Sequence, residues 1–252
     1  MGVKDDVYKR LIVNNINDED VDEVLTQRLY VKPEIKDYLV KNKILPFNHF
    51  VSNEEAEILK SVGWCSEVDF TLSGRVVIPI RDAQGNILTL VGWRKGKSKY
   101  YTIASDDFSK ESHWFNIDNA LEKASQDGAW KNRCVVVEGI FDALMLDCMG
   151  IPCVATMGAT VNAFKGAMLG FFDKVVCIPD GDVVGQKAIQ KWKVPSNATF
   201  LSIQPSKIKV GEDLSLTLKD MDDIVKLYPF EEISKVIQDA FESYERVINF
   251  EV

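Results

Sequence analysis

From Cys134 to Ile203 the chain alternates short, unbroken apolar runs with helical stretches, and that rhythm leaves few folds open. Cys134–Val137, 151–156, 174–179 and 198–203 read as strands, and 140–149, 160–170 and 184–192 as helices, the first closed by Gly150. Strands joined through helices run parallel. Covered on both faces, they carry apolar residues at every position rather than at alternate ones. The sequence therefore predicts an α/β protein built on a parallel sheet.

Functional groups in such sheets collect just beyond the carboxyl ends of the strands. Glu138 directly follows Val135-Val136-Val137, and Asp180 and Asp182 follow Val175-Val176-Cys177-Ile178-Pro179. Gly139 and Gly181 permit tight turns there, so the three carboxylates are expected at one edge of the sheet. Taken singly, each acid reads as a helix cap or a turn residue. Taken together they read as a site, because converging carboxylates repel one another unless a hard divalent cation sits between them. Mg²⁺ held in that way suits phosphoryl transfer, since it neutralises phosphate charge and aligns the attacking and leaving oxygens.

Ahead of residue 134 the periodicity differs. Residues 1–65 repeat apolar pairs at helical spacing, Val7-Tyr8 with Leu11-Ile12, Val21 with Val24-Leu25, Ile35 with Tyr38-Leu39, and Ile58-Leu59; Pro33 suits a helix first turn. Between 74 and 103 the pattern turns to strands on either side of Asp82-Ala83-Gln84-Gly85-Asn86, a hairpin or meander. Residues 230–249 read as one amphipathic helix. The expected organisation is a mixed α/β N-terminal part with a basic strand region (1–130), a parallel-sheet catalytic domain (131–225) and a helical tail (226–252).

The net charge of −8 does not exclude a nucleic-acid partner, because the basic residues are clustered: Arg75, Arg81, Arg94, Lys95, Lys97 and Lys99 have only Asp82 among them. Five cysteines without a C-x-x-C pair, and two histidines, give no expectation of zinc. No apolar run approaches the ~18 residues of a membrane span. The opening Met1-Gly2-Val3-Lys4-Asp5-Asp6 lacks the regions of a signal peptide, so a cytoplasmic protein without a membrane partner is expected.

Three segments carry a resemblance. Val137-Glu138-Gly139-Ile140-Phe141-Asp142-Ala143, Met157-Gly158-Ala159 and Asp180-Gly181-Asp182-Val183-Val184-Gly185-Gln186-Lys187-Ala188 closely resemble the Toprim domain of bacterial-type primases, type IA and type II topoisomerases and several small nucleases. Gly211-Glu212-Asp213-Leu214 is similar to the primase form of the last acidic motif, which usually carries a second Asp two positions beyond the first; Ser215 stands there instead. The resemblance implies a Rossmann-like parallel sheet with Glu138, Asp180 and Asp182 as catalytic carboxylates. It also implies a metal site formed by these three with Asp142 and Asp213.

Gly74-Arg75-Val76-Val77-Ile78-Pro79-Ile80-Arg81-Asp82, then Gly92-Trp93-Arg94, Lys99-Tyr100 and Phe108-Ser109-Lys110, is similar in order and spacing to the strand region before Toprim in bacterial and phage primases. There the resemblance implies a basic wall holding template and nucleotides, with Arg75, Arg81, Arg94, Lys99 and Lys110 as the binding residues. Arg suits the task because its planar fork grips phosphate oxygens. Lys95 and Lys97 read as a solvated face, and Trp93 and Tyr100 as base-stacking or packing residues.

Running from about residue 34 to 220, the likeness implies a primase catalytic core. Such a core makes short RNA primers on single-stranded DNA from ribonucleoside triphosphates with Mg²⁺, or Mn²⁺ in its place. It implies a core lacking the zinc ribbon and helicase modules of relatives, served in trans by a replicative helicase or other replisome protein of a bacterium or phage-infected host. Two other readings stand beside it. A Toprim-type nuclease would share the metal site but need no basic hairpin, and a non-catalytic replisome or nucleic-acid-binding module would need no intact acid set.

Overall fold

The chain divides into two units, Met1–Phe108 and Ser109–Val252. A computed structural model describes residues 2–11, 32–47, 53–64, 72, 74–94, 100–203, 205–209, 215–243 and 247–250.

In the first unit, α1 (Val3–Leu11), α2 (Pro33–Lys41) and α3 (Asn53–Ser61) accompany a four-stranded antiparallel sheet. Its strands are β1 (Leu45–Phe47), β2 (Arg75–Arg81), β3 (Ile87–Trp93) and β4 (Tyr100–Thr102), in that order across the sheet. Pro33 occupies the first turn of α2, where its missing N–H leaves no bond unmade. The β2–β3 turn is held by Asp82, whose Oδ1 accepts from the Gln84 and Asn86 amides at 2.9 Å each. Val7 and Tyr8 of α1 and Leu59 of α3 pack with Trp64, Leu72, Val77, Ile87, Leu90 and Ile103 into one apolar cluster. The helix expected around Val21–Leu25 lies outside the described residues.

The second unit starts well ahead of the boundary expected near 130. Residues 109–132 belong with it because Phe115 bridges Ala155, Asn116 donates to Asp147 and to the Cys153 carbonyl, and α4 (Ile117–Ser125) buries Ile117, Ala120 and Ala124. β5 (Arg133–Val137), α5 (Ile140–Cys148), β6 (Cys153–Ala155), α6 (Ala163–Ala167, followed by a 3-10 turn at Met168–Phe171), β7 (Lys174–Ile178), α7 (Val183–Lys191) and β8 (Thr199–Ile203) follow in the expected alternation. A hairpin of β9 (Ser206–Lys209) and β10 (Ser215–Leu218) leads into α8 (Met221–Leu227) and α9 (Phe230–Glu242).

The expected helical tail is shorter than the periodicity suggests. α9 ends at Glu242 with Ile233, Ile237, Ala240 and Phe241 buried, and β11 (Val247–Phe250) then joins the sheet. Val247-Ile248-Asn249-Phe250 is rich in β-branched and aromatic side chains, which fit a pleated surface better than a helix. The completed sheet has the order β11-β8-β7-β5-β6 with every neighbouring pair parallel. Residues 134–137 and 175–178 are buried throughout, as a sheet covered on both faces requires.

Candidate functional site

β5 and β7 lie side by side with Val137 opposite Ile178, so the acids that follow them emerge next to each other. The Asp180 amide donates to Glu138 Oε1 at 3.2 Å. The loop after β6 seats the Glu138 carbonyl, which accepts from the Met157 amide at 3.1 Å and from the Thr156 hydroxyl at 3.3 Å. Asp182 starts α7, its Oδ1 accepting from the Val184 and Gly185 amides at 2.9 and 3.0 Å. Two glycines are dictated by close approach here. A Cβ on Gly185 would stand 1.9 Å from the Asp180 carbonyl oxygen, and one on Gly181 would stand 2.8 Å from that of Ile203.

A third acidic segment reaches the same place from beyond the β9–β10 hairpin. The Gly181 amide donates to the Lys219 carbonyl, and Asp220 begins α8 by accepting from the Asp223 amide at 2.9 Å. Asp142 accepts the Asp222 amide on Oδ1 at 2.8 Å and the Gly139 amide on Oδ2 at 3.1 Å. Expected among the metal ligands, Asp142 thus braces the first turn of α5 against the first turn of α8. Asp213 lies outside the described residues. An Asp-x-Asp spacing also stands at Asp220-Met221-Asp222, a segment that the sequence analysis does not single out.

The electrostatics show how crowded these acids are. Burial, then the charges of Asp180 and Asp182, push the Glu138 carboxyl up to about 7, against a lowering by Lys219. Burial and Asp220 push Asp180 up to about 6, and the same two causes raise Asp223 to about 6. Asp142 is raised as well, first by burial and then by Asp220, Asp180 and Asp222. For Lys219, burial works against the charge, but Asp220, Asp180, Asp223 and Asp182 outweigh it and hold its pKa above the usual value. Its Nζ stands 3.6 Å from Asp220 Oδ2. Among the described residues no three His, Cys, Asp or Glu side chains, as placed, are grouped so that they could hold a metal ion. The donors nevertheless have the right chemistry: hard carboxylate oxygens whose mutual repulsion a divalent cation would relieve.

Residues 135–224, the stretch holding all of these acids, match the family described as Toprim-like. This segment is a Toprim-like domain. Beyond it, the chain is similar to the DNA primase of Aquifex aeolicus (strain VF5), 29% identical over 180 residues that make up 69% of this chain and 34% of the relative. The chain therefore spans about a third of the length of that relative. The crystal structure of the zinc-binding and RNA polymerase domains of the Aquifex aeolicus primase shares the fold, with a TM-score of 0.66 and 23% identity over 95% of this chain and 62% of that one. A DnaG primase catalytic domain solved bound to single-stranded DNA shares it too, with a TM-score of 0.64 and 18% identity over 95% of this chain and 80% of the other.

The expected binding residues differ in their surroundings. Arg81 donates to Asp5 Oδ1 of α1 at 2.7 Å and to the Gly85 carbonyl, which commits it to its own unit. Arg75 is buried, and burial together with the charge of Arg94 lowers its pKa. Arg94 is exposed at the end of β3. Lys110 is exposed in the second unit, and Lys99 lies outside the described residues. Trp93 is buried, whereas Tyr100 is 41% exposed.

Proposed function

We propose that this chain is the catalytic core of a DNA primase, a nucleotidyltransferase that makes short RNA primers on single-stranded DNA. The observation that carries the reading is the gathering of partly buried acids at the carboxyl edge of the sheet, where burial first, and then the charges of Asp180 and Asp182 on Glu138 and of Asp220 on Asp180, push the Glu138 and Asp180 carboxyls to about 7 and 6. Carboxylates raised in this way cluster at functional sites, and converging ones suit a hard divalent cation. Support comes also from the primase relative and from the fold shared with a primase domain bound to single-stranded DNA.

In this reading Glu138, Asp180, Asp182 and Asp220 would hold Mg²⁺, or Mn²⁺ in its place. When bound, the ion supplies charge neutralisation on the triphosphate and alignment for in-line displacement. The chain's own groups prepare the place. The Asp180 amide fixes Glu138 Oε1, the first turn of α7 orients Asp182, and the Lys219 ammonium offsets part of the negative field that an incoming triphosphate meets. A ribonucleotide 3′-hydroxyl would attack the α-phosphate of the next triphosphate, and pyrophosphate would leave. Arg94 and Lys110 are the exposed cations proposed to grip template or nucleotide phosphates, and a replicative helicase or other replisome protein is the proposed partner in trans.

Incubation with single-stranded DNA, Mg²⁺ or Mn²⁺ and labelled ribonucleoside triphosphates tests this directly. Short, template-dependent, RNase-sensitive products are expected. Shortened DNA without RNA synthesis would turn the reading to a nuclease, and DNA binding with neither product would turn it to a binding module.

A further inference from the structure

Lys165 is a lysine almost without solvent contact, 1% exposed, in the middle of α6. Among the described residues no carboxylate stands within ion-pair distance of it. Its Nζ donates instead to two backbone carbonyls, those of Thr156 at 2.7 Å and Lys110 at 2.9 Å. The ammonium also sits 4.7 Å from the centre of the Trp114 ring. The indole N–H of Trp114 donates to the Lys165 carbonyl at 2.9 Å, and Asn162 caps the helix by accepting the Lys165 amide at 2.8 Å. Burial pulls the pKa down to about 8, only partly opposed by Glu111. A buried cation without an ion-pair partner is unfavourable, and packing alone would be served as well by an apolar side chain.

Both carbonyls it holds belong to segments with a place in the proposed chemistry. Thr156 shares its hydroxyl between the carbonyls of Glu138 and Gly158, and its amide donates to the Val137 carbonyl at 2.9 Å. The next residue, Met157, has a left-handed backbone with φ of 58° and donates its amide to the same Glu138 carbonyl. Lys110 is the exposed cation proposed to meet phosphate. One ammonium thus ties the loop that seats Glu138 to the segment that presents Lys110, both inside the second unit.

We propose that Lys165 is a positioning residue for the acidic centre: acting through Thr156, it fixes the backbone that aims Glu138 at the cation. This rests on the metal-dependent reading above. A group one step removed from a ligand typically changes metal affinity by about 10–100-fold when lost. The substitution Lys165→Met keeps length and apolar bulk while deleting the ammonium, and Thr156→Val deletes the hydroxyl that passes the constraint on.

The experiment is calorimetric titration of Mn²⁺ into the full chain and the two variants, beside thermal unfolding and the primer assay. About tenfold weaker Mn²⁺ binding is expected in K165M and in T156V, with no further loss in the double variant because both act through one loop. At saturating Mn²⁺ the KM for ribonucleotides should stay near that of the parent while kcat falls. If K165M proves unfolded, T156V carries the test alone. Parent-like Mn²⁺ affinity in a folded variant overturns the positioning role whatever the primer assay gives. A parent chain that binds no Mn²⁺ overturns the metal reading and this inference together. Weakened binding in the variants without primer synthesis by the parent leaves the positioning role standing and rejects only the primase reading.

Discussion

The two units differ in how they hold a few of their charged residues. In the antiparallel unit three cations are taken up by the fold: Arg81 is tied to Asp5 and to its own hairpin turn, Lys4 to Asp107, and Arg75 is buried. In the parallel unit the anions at the sheet edge are crowded against one another and raised in pKa, with Lys219 as a partial offset. Charge that is compensated where it stands reads as structure, and charge that is concentrated without compensation reads as a place for something to bind.

The sharpest way to break this contrast is to neutralise the crowded side. Glu138→Gln or Asp180→Asn should lower primer synthesis on the order of 10³-fold, the scale of about 4 kcal/mol expected when a cation's contribution to the transition state is lost. The same variants should unfold at the parent's temperature or above it without added metal, because a repulsive charge has gone. Near-normal primer yield with Mg²⁺ in either variant would remove the centre from the acids.

Titration should separate the units next. Glu138, Asp180 and Asp223 have folded pKa values raised to about 7, 6 and 6, so their contribution to stability is fully present below the unfolded values. It is lost as pH rises from roughly 4 through 7. Metal-free protein should therefore lose melting temperature over that window. Mg²⁺ should restore it at pH 8 and do little at pH 5, as differential scanning calorimetry can check; a flat metal response across the range would contradict the crowding.

On the compensated side, Arg81→Ala should destabilise the first unit by about 1 kcal/mol, the scale of a half-exposed ion pair with an added hydrogen bond. Primer yield per folded molecule should hardly move. A large drop in activity at unchanged stability would restore Arg81 to the binding set. The smallest effect is expected for Arg94→Ala, a few-fold weaker binding of single-stranded DNA and a salt slope shallower by about one unit in a filter-binding titration. An unchanged slope would place phosphate contact elsewhere.

The placement of Glu138, Asp180 and Asp182 at one edge of the sheet was legible in the sequence because a buried parallel strand writes itself as an unbroken apolar run, and the residue after such a run has a known address. Asp220 was not. It reaches the site through a hairpin and a hydrogen bond from Gly181, and neither leaves a periodic trace. The role of Asp142 was hidden for a related reason, since the sequence reveals that it shares an edge with Glu138 but not that two backbone amides claim its oxygens. The fate of Arg81 turned on a partner in α1, far away in sequence. The sequence runs the tail on as helix because apolar residues continue past α9 into β11, and the pairing of Val247–Phe250 with Phe200–Ile203 shows the strand that follows.

That last pairing also bears on the order in which the molecule is made. β11 docks on β8, which precedes it by roughly fifty residues, and non-local pairing of this kind is slow to form. Until those residues arrive, β8 presents a bare strand edge, the kind of surface that recruits other chains. Folding of the second unit should thus pass through a species whose sheet is open on one side. Stopping synthesis or folding before residue 247 would leave that side exposed to self-association, while the short β2–β3 hairpin of the first unit closes from neighbouring residues alone.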